Sequence, residues 1–159
     1  LNVIGHLEKT QNEEWLVVLA SDHGGFELKE SIKAHLTERG IRYIDLGTNS
    51  STSVDYPDYA HKLCRSLQSG EADLGILCCG TGIGISMAAN KVKGIRAALC
   101  TDAYMAKYTR LHNDANVLCL GGRVIGPGVA EEIVDIFLNT EFEGGRHQRR
   151  VDLISALEK

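Results

Sequence analysis

A cysteine followed by a glycine-rich turn is the most informative stretch of the chain. Residues 78–84 read Cys-Cys-Gly-Thr-Gly-Ile-Gly and follow an apolar run. Three glycines within five residues let the backbone turn sharply and present successive N–H groups, which makes a small anion-binding nest where a helix begins. A thiol beside such a nest can act as a base or a nucleophile next to an oxyanion. The stretch therefore predicts an enzyme.

Other kinds of glycine loop fit this stretch less well. A P-loop has Lys followed by Ser or Thr after its last glycine, but Ile85 and Ser86 follow Gly84. A phosphatase-type cysteine loop would have Arg where this chain has Ile85. The spacing is also not the dinucleotide-binding G-x-G-x-x-G, although Asp102 stands where a ribose-binding acid belongs. Nicotinamide binding stays open, and a purely structural turn would leave the neighbouring thiol and hydroxyl unexplained.

Two arginines near the C-terminus form a second candidate group. They lie in residues 144–150, which read Gly-Gly-Arg-His-Gln-Arg-Arg. On a helix, Arg146 and Arg150 project from the same face, and two guanidinium groups suit a phosphate dianion. Basic side chains at the start of a helix oppose its dipole, so their position favours ligand binding over a merely solvated helix start.

Together these groups suggest the isomerisation of a sugar phosphate between its aldose and ketose forms. This reaction needs a base that moves a proton between C2 and C1, donors that stabilise the enediolate, and an acid/base group that opens the sugar ring. A carboxylate is the commoner base, but a cysteine can serve because a helix N-terminus favours its thiolate.

Alternating strands and helices must position these side chains. Apolar runs predict strands at 15–21, 41–46, 74–78, 95–100 and 117–120. Periodic apolar residues, caps and prolines predict helices at 26–39, 57–70, 85–90, 102–111, 127–138 and 148–157. This order predicts an α/β fold, a single-domain Rossmann-like α/β/α sandwich with a five-stranded parallel sheet.

Polar residues gather where the predicted strands end. In such sheets, ligands bind beyond the carboxyl ends of the strands. We expect these residues near that edge: Asp22, His23, Cys79, Thr81, Thr101, Asp102, His112, Asn113, Gly121, Gly122 and Arg123.

The composition limits the classes of protein to consider. The chain of 159 residues has a net charge of −4, which argues against a nucleic-acid surface, and no apolar run approaches the roughly 20 residues of a membrane span. Its N-terminus shows no secretory signal. The chain has five cysteines and no CxxC pair: Cys64, Cys78, Cys79, Cys100 and Cys119. This odd number predicts reduced thiols in a cytoplasmic protein, and we expect four of the five to be inert core residues.

Five motifs in this order resemble the ribose/galactose isomerase family, and within it the ribose-5-phosphate isomerases of type B. The motifs are residues 21–26, 55–57, 79–84, 110–114 and 144–150. The resemblance spans about 17–157 and implies an enzyme that interconverts D-ribose 5-phosphate and D-ribulose 5-phosphate. It leaves residues 1–14 as an extension without an assigned role and 15–159 as the isomerase domain.

The resemblance also implies roles for the matching residues. Cys79 would shuttle the proton between C1 and C2 with the help of Thr81, and His112 would open the sugar ring with Asp22 beside the ring oxygen. The backbone N–H groups from Gly80 to Gly84 would stabilise the enediolate. The substrate-binding residues would be His23, Tyr56, Gly80, Gly82, Ile83, Gly84, Asn113, Arg123, Arg146 and Arg150, of which the arginines and His23 would hold the phosphate.

The resemblance implies a homodimer or tetramer whose active sites take residues from both subunits, with no metal and no organic cofactor. The C-terminal arginines would then face the cysteine of a neighbouring subunit. Two alternatives remain: an isomerase of galactose 6-phosphate or allose 6-phosphate, and a non-catalytic module that binds a phosphate or a nucleotide.

Overall fold

A five-stranded sheet flanked by helices positions the candidate residues. The computed structural model describes residues 15–158, so the expected N-terminal extension, 1–14, lies outside the described residues. The elements in chain order are β1 (Leu16–Ser21), α1 (Phe26–Glu38), β2 (Arg42–Asp45), α2 (Tyr56–Gln68), β3 (Leu74–Cys79), α3 (Ile83–Ala89), β4 (Ala97–Leu99), α4 (Ala103–Asn113), β5 (Val117–Gly121), α5 (Pro127–Asn139) and α6 (Arg146–Ser155).

All strand pairs are parallel, and the strand order is β2-β1-β3-β5-β4. The predicted fold class is therefore confirmed. From β1 the chain adds β2 on one side and β3 on the other, so the sheet has its topological switch point between β1 and β3. Ligands in such sheets bind in the crevice at this point, beyond the carboxyl ends of the strands. The loops after β1 and β3 flank that crevice.

Alternation along the strands divides the core into two layers. One layer joins alternate strand residues to α1 and α5, and the other joins the remaining strand residues to α2 and α3. Successive side chains of a strand point to opposite faces. Cys78 accordingly packs in the α1/α5 layer and Cys79 in the α2/α3 layer. The pleat of β3 thus decides which of the two thiols lies beside the glycine loop that leads into α3.

The element boundaries differ from the predicted ones at two places that matter for the site. Helix α6 begins at Arg146, two residues earlier than expected, so Arg146 belongs to its first turn. Strand β4 is three residues long, shorter than the predicted 95–100. It is the last strand of the sheet on its side within residues 15–158. In that same range, no helix has both the length and the apolar character required to cross a membrane.

Candidate active site

Three loops meet at the carboxyl end of the sheet. The N–H groups of Gly122 and Arg123, after β5, donate to the carbonyl oxygens of Cys79 and Gly80 at 2.8 and 2.9 Å. The loop after β1 approaches equally closely, because a Cβ on Gly24 would lie 3.0 Å from the Gly80 nitrogen. A side chain at Gly24 would require the neighbouring backbone to shift by a few tenths of an ångström, so glycine suits this approach. The backbone therefore fixes the relative positions of the three loops.

The glycine loop holds the Cys79 thiol in place. Cys79 is the last residue of β3 and is 4% exposed. Its sulfur accepts a hydrogen bond from the N–H of Gly82 at 3.1 Å. Gly82 has a φ of 81°, in the left-handed region, and a Cβ there would lie 2.6 Å from Leu99 Cδ1. Because an N–H donor stabilises negative charge on its acceptor, the loop favours charge that develops on this sulfur.

The other four thiols are core groups. Burial raises the pKa of Cys64 and of Cys100 to about 12. It also raises the pKa of Cys78 and Cys119, each of which lies within the sheet. These thiols stay protonated at neutral pH, so thiol chemistry at this edge of the sheet falls to Cys79.

Asp22 and His23 follow β1 and are held by backbone donors. Asp22 is 6% exposed, and its Oδ1 accepts the N–H groups of Gly24 and Gly25 at 2.9 and 3.1 Å. Its Oδ2 has no hydrogen bond within residues 15–158. The Nδ1 of His23 accepts the N–H of Val54 at 3.2 Å. Because Nδ1 is the acceptor, the ring proton lies on Nε2, which can donate to a ligand.

A phenol and a guanidinium border the same loop. A Cβ on Gly84 would lie 2.8 Å from the hydroxyl oxygen of Tyr56, so this hydroxyl lies directly over the backbone of Gly84. A Cβ on Gly80 would lie 3.1 Å from Nη1 of Arg123. We call this assembly the cysteine cluster; it comprises Asp22, His23, Tyr56, Cys79, Thr81 and Arg123 together with the backbone of Gly80, Gly82, Ile83 and Gly84.

The expectation that His112 and Asn113 lie at this edge is wrong. Helix α4 starts after β4 and ends at Asn113, shortly before β5 begins at Val117. Since β4 and β5 are parallel, α4 must run back along the sheet, and its 11 residues cover about 16 Å. His112 and Asn113 therefore lie towards the amino ends of the strands, at the opposite edge from Cys79.

Asp102 does remain at the carboxyl edge, but it serves as a helix cap. Its Oδ1 accepts the N–H of Met105 at 2.8 Å at the start of α4. This explains the carboxylate as a cap and removes the main support for nicotinamide binding.

The remaining predicted residues gather at the ends of α4 and α6. The rings of His112 and His147 stack with centroids 4.0 Å apart and an angle of 12° between their planes. This stack places the first turns of α6, with the exposed Arg146 and Arg150, beside the end of α4. We call the predicted residues at this place the α4–α6 group: His112, Asn113, Arg146 and Arg150.

Sequence reasoning missed the residues that organise the α4–α6 group. Arg110 is 1% exposed and donates to the carbonyl oxygens of Ala115 and Thr140 at 2.6 and 3.1 Å. The N–H of Glu143 donates to the carbonyl oxygen of Leu111 at 3.0 Å. These bonds tie the end of α4 to the segment that leads into α6. The signal that pointed here was the motif at residues 144–150, in which His147 went unassigned.

His147 is electrostatically linked to its neighbours. Burial lowers the pKa of His147, and the positive charges of His112 and Arg146 lower this pKa further. Two imidazole rings stacked this closely disfavour double protonation. The neutral form of His147 is therefore favoured near neutral pH.

Known proteins match nearly the whole described chain. Residues 17–154 match the Ribose/Galactose Isomerase family. The chain is 52% identical over 143 residues to ribose-5-phosphate isomerase B of Escherichia coli, covering 90% of this chain and 96% of the relative. It is 57% identical over 144 residues to a putative sugar phosphate isomerase of Bacillus subtilis, covering 90% of this chain and 97% of the relative.

Solved structures agree with the sequence matches. A ribose 5-phosphate isomerase from Thermotoga maritima superposes with a TM-score of 0.89 at 54% identity, covering 91% of this chain and all of the other. The type B ribose 5-phosphate isomerase of Trypanosoma brucei gives a TM-score of 0.89 at 50% identity, covering 92% of this chain and all of the other. This chain belongs to the ribose/galactose isomerase family.

Proposed function

We propose that this protein is a sugar-phosphate isomerase that interconverts D-ribose 5-phosphate and D-ribulose 5-phosphate through an enediolate. The observation that carries the proposal is the Cys79 thiol, held beside the glycine loop by the N–H of Gly82. The relatives support the substrate, because proteins about half identical to this chain are named ribose-5-phosphate isomerase B.

Cys79 is the base that transfers the proton between C2 and C1. As the thiolate, Cys79 takes the proton from C2 of the open-chain aldose and returns it to C1. A second proton moves from O2 to O1, so the C1 carbonyl becomes a hydroxyl group and the C2 hydroxyl becomes a carbonyl. The reaction is an internal oxidation and reduction, and it therefore needs no external oxidant. Thr81, two residues after Cys79 on the exposed side of the loop, assists the proton transfer.

The loop stabilises the enediolate with a limited set of donors. The N–H of Gly82 already donates to Cys79, and the N–H of Ile83 donates to Thr81 Oγ1 at 3.1 Å. The N–H groups of Gly80, Thr81 and Gly84 have no acceptor within the described part of the chain. These three are the donors that remain for a developing oxyanion.

Ring opening and phosphate binding require the second group of residues. Within one chain, the α4–α6 group lies at the opposite edge from Cys79. We therefore assign the active site to a homodimer, in which His112, Asn113, Arg146 and Arg150 of one subunit complete the cysteine cluster of the other. Asp22, with its unbonded Oδ2, would face the sugar ring oxygen beside the incoming His112. Dimers of this kind can pair further into tetramers.

A substrate comparison tests this function. The purified chain is assayed with ribose 5-phosphate, allose 6-phosphate and galactose 6-phosphate, and the ketose product is measured. We expect the highest kcat/KM with ribose 5-phosphate. A preference for either hexose phosphate would identify that sugar phosphate, instead of ribose 5-phosphate, as the substrate. No turnover of any of the three would favour a non-catalytic phosphate-binding module. We also propose a cytoplasmic location, because all five thiols are free in the structure.

A further inference from the structure

A fully buried lysine lies at the start of α1, shortly after the turn that carries Asp22 and His23. The side chain of Lys29 is 0% exposed, and its Nζ donates to both carboxylate oxygens of Asp45, the last residue of β2, at 2.7 Å. A buried ammonium group is costly unless it is paired and hydrogen-bonded. Since a hydrophobic pair of similar volume is often as stable, the ion pair points to a role besides stability.

Asp45 accepts hydrogen bonds from two further donors. Lys33 Nζ donates to its Oδ2, and the N–H of Gly47 donates to its Oδ1, each at 2.8 Å. Burial raises the pKa of Asp45, but the hydrogen bonds from Lys29 and Lys33 outweigh burial and hold this pKa below its usual value. Asp45 is therefore an anion at neutral pH, and it connects α1 to the loop that follows β2.

The bond to Gly47 shapes the start of that loop. Gly47 has a φ of 101°, in the left-handed region, and an aspartate that bonds the backbone N–H two residues later fixes such a turn. The N–H of Ser21 donates to the carbonyl oxygen of Gly47 at 2.7 Å, and the N–H of Thr48 donates to that of Ser21 at 2.9 Å. Asp45 thus holds the loop against the last residue of β1.

The same carboxylate supports His23 from both directions along the chain. His23 lies between Ser21, which pairs with the loop after β2, and helix α1, to which Lys29 belongs. The far end of that loop returns to His23, because the N–H of Val54 donates to its Nδ1 at 3.2 Å. The orientation of the imidazole therefore depends on elements that Asp45 joins.

We propose that Asp45 is a positioning residue, which holds the loop after β2 through Gly47 and thereby orients His23 towards the substrate phosphate. Lys29 compensates the buried charge of this carboxylate. The positioning step stands on the hydrogen bonds of Asp45, Gly47 and Ser21. The link to the phosphate rests on the proposed function, because it assumes that Nε2 of His23 donates to the phosphate.

Two double variants separate the bond to Gly47 from the ion pair. Lys29→Met/Asp45→Leu loses both the ion pair and the acceptor for the N–H of Gly47. Lys29→Met/Asp45→Asn is the matched control, because it loses the ion pair but keeps an amide oxygen as the acceptor. In both variants Lys33 keeps its bond to Glu30, so neither variant strands this exposed cation.

Hydrogen exchange resolved by NMR tests the positioning step without substrate. The N–H groups of Thr48 and Val54 report the contacts of the loop with Ser21 and with His23. In the first double variant, both should exchange about 3- to 10-fold faster than in the parent, the factor that corresponds to one hydrogen bond. In the second, both should exchange as in the parent. The N–H of Met105, bonded to a carboxylate at the same edge, should keep its rate throughout.

Two results would overturn the positioning step. One is unchanged exchange of Thr48 or Val54 in the first double variant. The other is equal acceleration in both double variants, because this would assign the effect to the ion pair alone. Circular dichroism checks that each protein folds. If the first double variant does not fold, Lys29→Met/Asp45→Ala replaces it, since it also lacks the acceptor and adds no bulk.

Steady-state kinetics test the link to the phosphate. The first double variant should raise KM for ribose 5-phosphate about 10-fold, because a hydrogen bond to a charged group is lost. Its kcat should change little, and the second double variant should keep the KM of the parent. Faster exchange with an unchanged KM, or a lower kcat without a rise in KM, would contradict the link to His23. A parent protein without turnover of ribose 5-phosphate would refute the proposed function, while hydrogen exchange would still decide the positioning step.

Discussion

The cysteine cluster and the α4–α6 group are built in different ways. In the cysteine cluster, three loops bonded backbone to backbone hold a nearly buried thiol and a nearly buried carboxylate. In the α4–α6 group, long side chains extend from the ends of two helices, and Arg146 and Arg150 are exposed. One chain thus prepares the proposed proton-transfer site almost completely, whereas the residues proposed for ring opening and phosphate binding lie at the opposite edge of the sheet.

The surroundings of α4 indicate where a second subunit would sit. Strand β4 has no further neighbour on its outer side within the described part of the sheet. A cavity of about 410 Å³ lies between β4 and α4, and Tyr104 and Met105 beside it are 70% and 40% exposed. Exposed apolar side chains grouped on one surface are typical of a surface that another subunit covers. The comparison therefore predicts that the two groups of residues meet across subunits.

The largest expected effect is the loss of the base from the cysteine cluster. Cys79→Ala should lower kcat about 100- to 10,000-fold, the usual contribution of general acid–base catalysis, with little change in KM. Cys78→Ala is the matched control, because its thiol points into the α1/α5 layer and takes no part in the reaction. Turnover by Cys79→Ala equal to that of the parent, measured in a coupled assay, would remove the cysteine from the mechanism.

Mixing two inactive variants tests whether the cysteine cluster of one subunit and the α4–α6 group of the other form one active site. Cys79→Ala and His112→Asn should each have little activity alone. In a mixed dimer, one site has lost both groups and the other has lost neither, so each mixed dimer should regain about half of the parent activity. Subunits are exchanged by co-expression with two different tags, and the doubly tagged species is assayed. If both groups acted within one chain, the mixed dimer would stay inactive.

The cysteine cluster could be predicted further from the sequence than the α4–α6 group. Cys79 ends a strand, and Asp22, His23 and Arg123 lie within two residues after one. Parallel strands bring their carboxyl ends to one edge whatever the details of packing. The spacing of Gly80, Gly82 and Gly84 also predicts a loop whose backbone N–H groups can contact a ligand. Tyr56 could be assigned only through the family resemblance, because its contact with Gly84 depends on how α2 packs.

The position of the α4–α6 group depends on the length of α4 and on long-range contacts, which the residue pattern does not specify. The length of α4 decides at which edge His112 lies, and a helix that connects parallel strands must run back along the sheet. The stacking of His112 on His147 depends further on the reversal at Gly144 and Gly145 and on the buried bonds of Arg110. No local pattern specifies these long-range contacts.

A smaller effect is expected for the arginines that we propose to bind the phosphate. Arg146→Ala should raise KM for ribose 5-phosphate about 10- to 100-fold, since a hydrogen bond to a charged group contributes about 1.5–3 kcal/mol. The change in kcat should be small, because the phosphate is bound alike in the ground state and the transition state. Arg149→Ala is the matched control, because Arg149 is an exposed arginine on the same helix. An unchanged KM for Arg146→Ala, or an equal rise for both variants, would contradict a specific phosphate contact.

The smallest expected effect concerns the contribution to folding stability of His147, which stacks on His112 of the α4–α6 group. Burial and the charges of His112 and Arg146 lower the pKa of His147 in the folded state, so unfolded chains bind more protons between this pKa and the unperturbed value of about 6.5. The contribution of His147 to the free energy of unfolding should therefore be fully retained above about pH 6.5 and should fall as the pH drops below it. His147→Asn should reduce this decrease, whereas His61→Asn, at an exposed position on α2, should keep it. The measurement is the urea midpoint at about pH 7.5 and pH 5.5. The same pH dependence in the parent and in His147→Asn would mean that the stacked pair does not disfavour protonation, and the neutral form of His147 would lose its support.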